Sequence, residues 1–86
     1  MKDYFYIIKI LEIADGITNR VKVCYDREDA LEFLEEYVKI IRDTVKDEDT
    51  DIDYEGIDLD GEYPSVHIAL SNDWDFSADV CDIIER

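Results

Sequence analysis

Residues 4 to 25 spell a strand, a tight turn and a returning strand, and few other arrangements can absorb that order. Tyr4, Tyr6, Ile8 and Ile10 fall on one face of an extended segment, with Phe5, Ile7, Lys9, Leu11 and Ile13 on the other. Such alternation in a run of β-branched and aromatic residues marks a half-buried strand. Asp15-Gly16 supplies two residues that tolerate positive φ, and Ile17 to Tyr25 returns as the second strand. A two-residue loop sets Ala14 opposite Ile17, Ile10 opposite Val21, Ile8 opposite Val23 and Tyr6 opposite Tyr25, so one apolar face meets a core. On the outer face the same register opposes Lys9 to Lys22 and Leu11 to Arg20, which reads as a solvated basic edge. Phe5, Ile7, Leu11 and Ile13 on that face offer a surface for self-association as a homodimer.

Asp26 to about Lys46 predicts an amphipathic helix. Asp26 is a good N-cap, Asp29 completes a box-like pair, and Glu28 places favourable charge in the first turn. Ala30, Leu31, Phe33, Leu34, Tyr37, Val38, Ile40, Ile41 and Val45 cover about half the circumference at roughly 3.6 residues per turn. Acids lead and bases follow on the outer face, with Glu35 placed to pair with Lys39. That face needs no function.

Residues 47 to 50 form a charged connection to a third strand, Asp51 to Leu59. Its alternation changes phase at Gly56, which predicts a bulge there. Gly61 to Pro64 turns the chain, and Val66, Ile68 and Leu70 alternate with Ser65, His67, Ala69 and Ser71 in a fourth strand. Beyond Asn72-Asp73, Trp74 and Phe76 are apolar at strand spacing, whereas Ser77 reads as the cap of a short helix that buries Val80, Cys81, Ile83 and Ile84; of strand and helix, the helix is the expectation. The expected fold is α+β, in the order ββαββα. It is a single antiparallel four-stranded sheet with one long helix and a short C-terminal helix packed on one side.

Eighty-six residues support one domain, 1 to 86, because so short a chain buries only about 60 to 65 % of its unfolded surface. No segment reaches the roughly 18 apolar residues of a membrane span. Met1-Lys2-Asp3 and the alternating residues after it lack the layout of a secretion signal, which points to the cytosol. Cys24 and Cys81 stand far apart and read as two reduced thiols.

The sequence carries little that points to catalysis. His67 is the single histidine, without a second base at recognisable spacing, and phosphate loops, nucleophile elbows and dinucleotide fingerprints are missing. The chain is therefore expected not to be an enzyme and to need no cofactor. Asp51, Asp53, Gly56 and Glu62 match a calcium-loop template, with Glu55 at a position that usually holds Asp or Asn. Asp58 at a normally apolar place and the turn and strand beyond Glu62 argue against it. No metal site is expected.

The distribution of charge is the functional signal. Residues 1 to 46 hold ten acids against eight bases, whereas residues 47 to 86 hold fourteen acids and one base, Arg86. That excess works against a compact fold and repels polyanions, so the chain should bind a cationic partner and not nucleic acid itself. Asp51, Asp53 and Glu55 would form a row with a spacing of about 6.7 Å, continued by Asp58 and Asp60. The candidate partner-binding set is Asp47, Glu48, Asp49, Asp51, Asp53, Glu55, Asp58, Asp60, Glu62, Asp73 and Asp75, with Tyr54, Tyr63 and Trp74 as aromatic contacts.

From Asp47 to Glu62, DEDTDIDYEGIDLDGE, the chain resembles the small acidic inhibitors that phages and plasmids carry against DNA-handling defence systems, the DNA-mimic proteins and some anti-CRISPR proteins. The likeness is one of size, charge and acidic strand or loop layout. It implies occlusion, with carboxylates filling the Lys and Arg groove of a nuclease, a CRISPR effector complex or another DNA-binding protein. An immunity protein against a basic nuclease toxin would carry the same electrostatics. A small assembly domain with a solubilising acidic surface is the reading from another class.

Overall fold

The computed structural model describes residues 4–86; Met1, Lys2 and Asp3, which enter the reading of the N-terminus, lie outside them. The chain runs β1 (Tyr4–Ile13), β2 (Ile17–Cys24), α1 (Arg27–Asp47), β3 (Ile52–Asp58), β4 (Ser65–Leu70) and β5 (Asp75–Glu85). The five strands form one sheet in the order β2-β1-β5-β4-β3, antiparallel at every junction. The helix lies across one face and leaves the other open.

The helix begins as its cap residues dictate. Asp26 accepts a hydrogen bond from the Asp29 amide at 2.7 Å, and the Asp29 carboxylate accepts one from the Tyr25 amide at 3.2 Å. Two groups at the helix start are thereby satisfied reciprocally. Ala30, Leu34, Tyr37 and Ile41 then pack down onto Ile8 and Ile10 of β1, Val66, Ile68 and Leu70 of β4, and Phe76, Ala78 and Val80 of β5, with Cys24 at the margin. Burying each of the large aliphatic side chains contributes about 1.5–3 kcal/mol. The stripe is narrower than its sequence suggests, since Ile40 is exposed. Burial raises the Cys24 thiol above its ordinary range, the nearby Asp29 adding to the effect, so that sulfur is a core atom.

Three sequence expectations are corrected. The segment expected to be a short C-terminal helix is β5, so the fold is a five-stranded sheet with one helix and not ββαββα with four strands. Phe76, Ala78 and Val80 alternate toward α1; opposite Ile7 and Ile8 the register then slips at Cys81, and Ile83 comes back to the same side. A strand with one extra residue thus imitates helical spacing. Placed between β1 and β4, it gives each of them a second backbone partner on the edge that β2 and β3 leave open.

The hairpin closes on a three-residue loop, Ala14-Asp15-Gly16, with Ile13 opposite Ile17, Ile10 opposite Arg20 and Ile8 opposite Lys22. Asp15 and Gly16 take φ of 55° and 137°, and the Ala14 amide donates to the Gly16 carbonyl at 3.0 Å. One residue of slip turns the whole of β2 over. Arg20 reaches Glu12 at 3.2 Å and Lys22 lies 5.9 Å from the centre of the Phe33 ring, so the cations gain partners on the helix side. Lys9 faces Val21, and the expected opposition of Lys9 and Lys22 does not form. Finally, the bulge in β3 falls at Asp53 and not at Gly56.

Candidate functional site

The acids of the C-terminal half are distributed by these registers, and they do not make a single row. Asp53 is the extra residue of the β3 bulge; beyond it Tyr54 pairs with Ala69, Glu55 with Ile68, Gly56 with His67 and Asp58 with Ser65. Glu55 therefore points to the helix side, where Arg42 binds it. Tyr54 and Asp58 project from the open face. The Tyr54 ring crosses Gly56, at which a Cβ would stand 2.7 Å from its hydroxyl, and meets His67 edge-on at 5.2 Å. Gly56 makes room for an aromatic ring, and its presence looks like a bulge signal in sequence.

Residues 52–58 being a strand, the calcium-loop pattern does not form a loop. Among the described residues no group of three or more His, Cys, Asp or Glu converges on a cation position.

What the fold does gather is one end of the sheet. Asp47 closes α1, Glu48 caps it, and Asp49 takes φ of 50° while its amide donates to the Lys46 carbonyl. Asp51 enters β3 through its carbonyl, which accepts from the Ser71 amide at 2.9 Å, and so lies beside the turn between β4 and β5. Asp73, with φ of 71°, is in that turn, and the pairing of Asp75 with Ile13 brings Asp15 of the hairpin loop alongside. Among the described residues, the three non-glycine residues with positive φ, Asp15, Asp49 and Asp73, are all acids in the three loops of this end. Asp tolerates that conformation better than most residues do. The contribution of Asp15 is invisible to a reading that tracks charge along the chain, because it arrives only through strand pairing.

At the opposite end, Asp58 accepts from the amides of Asp60 and Gly61 at 3.2 and 3.1 Å and shapes the loop that carries Asp60, Glu62 and Tyr63. Arg27, in the first turn of α1, clasps this loop by donating to the carbonyls of Gly61 at 2.8 Å, Leu59 at 3.3 Å and Glu62 at 3.5 Å. The guanidinium is spent on backbone and leaves the loop's carboxylates free of an ion pair.

Among the described residues, no ion pair reaches Asp47, Glu48, Asp49, Asp51, Asp53, Asp60, Glu62 or Asp73; all eight are exposed, Asp60 and Glu62 in the loop between β3 and β4 and the other six on the sheet end or the β3 edge. Tyr54 and Tyr63 are half exposed, at 50 % each. Trp74 packs against the core and stacks edge-on with Phe76 at 6.4 Å, so it supports the β4–β5 turn in place of serving as an accessible anchor. Asp75 bonds His67 at 2.8 Å on the open face, beside Ser77 and Asp79. Desolvation raises the Asp79 carboxyl above its ordinary value, against the pull of His67 and Lys9.

A second surface was concealed by the register. Flipping β2 places Ile17, Val21 and Val23 on the open face next to Ile7, Leu11 and Ile13 of β1, and leaves Ile17 and Val21 71 % and 68 % exposed. The open face is therefore apolar at β2 and β1 and acidic from β5 outward. No helix of the described residues is long and apolar enough to cross a membrane. Compared with protein-family models, curated proteins and solved structures, the chain matches none.

Proposed function

We propose that this protein is a non-catalytic inhibitor that acts in the cytosol, its acidic end and β3 edge occupying the Lys and Arg groove of a nucleic-acid-handling protein. A nuclease, a CRISPR effector or another DNA-binding protein has the required groove, and the nucleic acid is excluded by occlusion. The observation that carries the reading is the set of eight carboxylates without ion pairs, held at backbone-defined positions in strand, cap and turns. Anions fixed in this way imitate the dense phosphate charge of nucleic acid, roughly one negative charge per 1.7 Å of duplex axis. They also attract a cationic surface from a distance, which raises the association rate.

The test pairs capture with competition. The protein is expected to retain a basic nucleic-acid-binding protein from host cells, to release it steeply between low and physiological salt as the Debye length falls to about 8 Å, and to lose it to added duplex or RNA. Asp49→Asn with Asp73→Asn keeps side chains that accept positive φ while removing charge, so capture should weaken with the fold intact. A partner that holds this protein and its nucleic acid together at unchanged affinity overturns the proposal.

A further inference from the structure

We propose that the apolar half of the open sheet face is covered by a second copy of this chain, in a two-fold dimer that packs β1–β2 on β1–β2 and points the two β3 edges in opposite directions. Ile13, Ile17, Val21, Val23, Tyr25 and Ile84 are all exposed and lie on this face. Together they expose the equivalent of about three whole large side chains, on the order of 600 Å², at the upper end of the largest apolar patch a monomer usually shows. Adding the half-buried Phe5, Ile7 and Leu11 brings the patch close to the ~800 Å² per partner of a standard interface.

Charge selects the occupant. Residues 1 to 46, which hold β1 and β2, are nearly neutral, whereas the other half of the sheet repels any second acidic body. Of the open sheet face, the hairpin is therefore the part that a second copy of the chain approaches with least repulsion. Symmetry settles the orientation. With the two-fold axis parallel to the strands and centred between β1 and β2, apolar side chains meet apolar side chains across two sheets about 10 Å apart. Each β3 then lies three and a half strand spacings from the axis, so the acidic edges stand about 34 Å apart, several Debye lengths. The perpendicular axis would stack β3 on β3. Lys9 lies within the patch, on the rung of Val21 and Asp79, where its aliphatic stem adds apolar cover and its ammonium turns toward the Asp79 carboxylate of β5.

Dimerisation is measured without any partner, so its failure and that of the inhibitor reading are separate events. Sedimentation velocity over a concentration series should give a mass approaching twice the 10.1 kDa of one chain, with association strengthened by added salt as residual repulsion is screened. That sign is opposite to the one expected for the cationic complex. Val21→Lys changes an exposed position and should yield a monomer with unchanged circular dichroism and melting temperature. Cys81 is exposed on the same face and Cys24 is buried, so alkylation of Cys81 should slow several-fold as wild type associates and stay fast in the variant. A monomer at all concentrations and salts, a dimer indifferent to Val21→Lys, or a dimer in which Cys81 reacts at the monomer's rate would each overturn the proposal.

Discussion

Arg27 offers the sharpest test of how the acidic loop between β3 and β4 is held. A cation in the first turn of a helix opposes the helix dipole, a penalty of about 0.3–1 kcal/mol. The chain accepts that penalty because the guanidinium reaches three loop carbonyls at 2.8, 3.3 and 3.5 Å. Only the Gly61 contact lies within the usual range for a full bond, so we count one charged hydrogen bond at about 1.5–3 kcal/mol and roughly half as much for the other two together. After relief of the dipole penalty and rehydration of the loop, Arg27→Met should lose about 2 kcal/mol, the methionine retaining most of the aliphatic stem. For a domain of this size that lowers the melting temperature by about 8–16 °C. Arg27→Lys, whose single ammonium cannot span three acceptors, should lose about half as much. Thermal unfolding followed by circular dichroism reads both, and hydrogen exchange at residues 59–63 reports the release of the loop. A methionine variant that melts within about 2 °C of wild type would refute the clasp, because no stabilising bond of the counted strength could then exist.

Tyr37 donates to Glu12 at 2.9 Å, and burial together with that bond holds its hydroxyl protonated far above the ordinary phenol range. Tyr37→Phe should therefore cost about 1–2 kcal/mol in urea unfolding, while Glu12→Gln, which keeps an acceptor, should cost less. Asp79 tests the sign of a pH effect. Its folded-state carboxyl is raised, first by desolvation, above the ordinary 3.8, so its charge opposes folding at neutral pH and the opposition fades as pH falls through the folded-state value. Asp79→Asn should accordingly melt higher than wild type at pH 7 and lose that advantage in acid; an asparagine variant less stable at pH 7 would contradict the assignment. Gly56→Ala should displace the Tyr54 ring from His67, with a shift of the His67 ring protons in NMR spectra and a stability loss below about 1 kcal/mol, since the displaced group is the end of an exposed side chain.

The strands and the long helix are legible wherever local chemistry decides them, and the failures have a common origin in pairing over distance. Asp26 capping Asp29 is a contact three residues long, and it appears in the structure as its spacing implies. The hairpin register is another matter, because Asp15-Gly16 suits a loop of two residues or of three. In the three-residue register Arg20 and Lys22 meet Glu12 and Phe33 on the helix side, contacts between residues that lie far apart in the chain or on another element. In β5 a slip at Cys81 produces the i, i+3, i+4 spacing of a helix, and only the vacancy between β1 and β4 distinguishes the two outcomes. The acidic set was readable as composition but not as arrangement. Glu55 departs to Arg42, Trp74 to the core, and Asp15 joins from the other half of the chain.

The position of β5 at the centre of the sheet has a consequence for synthesis. Its partner on one side, β1, is separated from it by about seventy residues, and closing such distant contacts makes folding slow. Until the ribosome has released residues 75–85, the hairpin and the β3–β4 pair are two half-sheets with raw inner borders, and apolar Ile8, Ile10, Val66 and Ile68 wait for a neighbour. A nascent chain in that state is vulnerable to sticking and to proteases. By the same logic, a single protease cut in the turn at residues 71–74 would divide the sheet at its keystone.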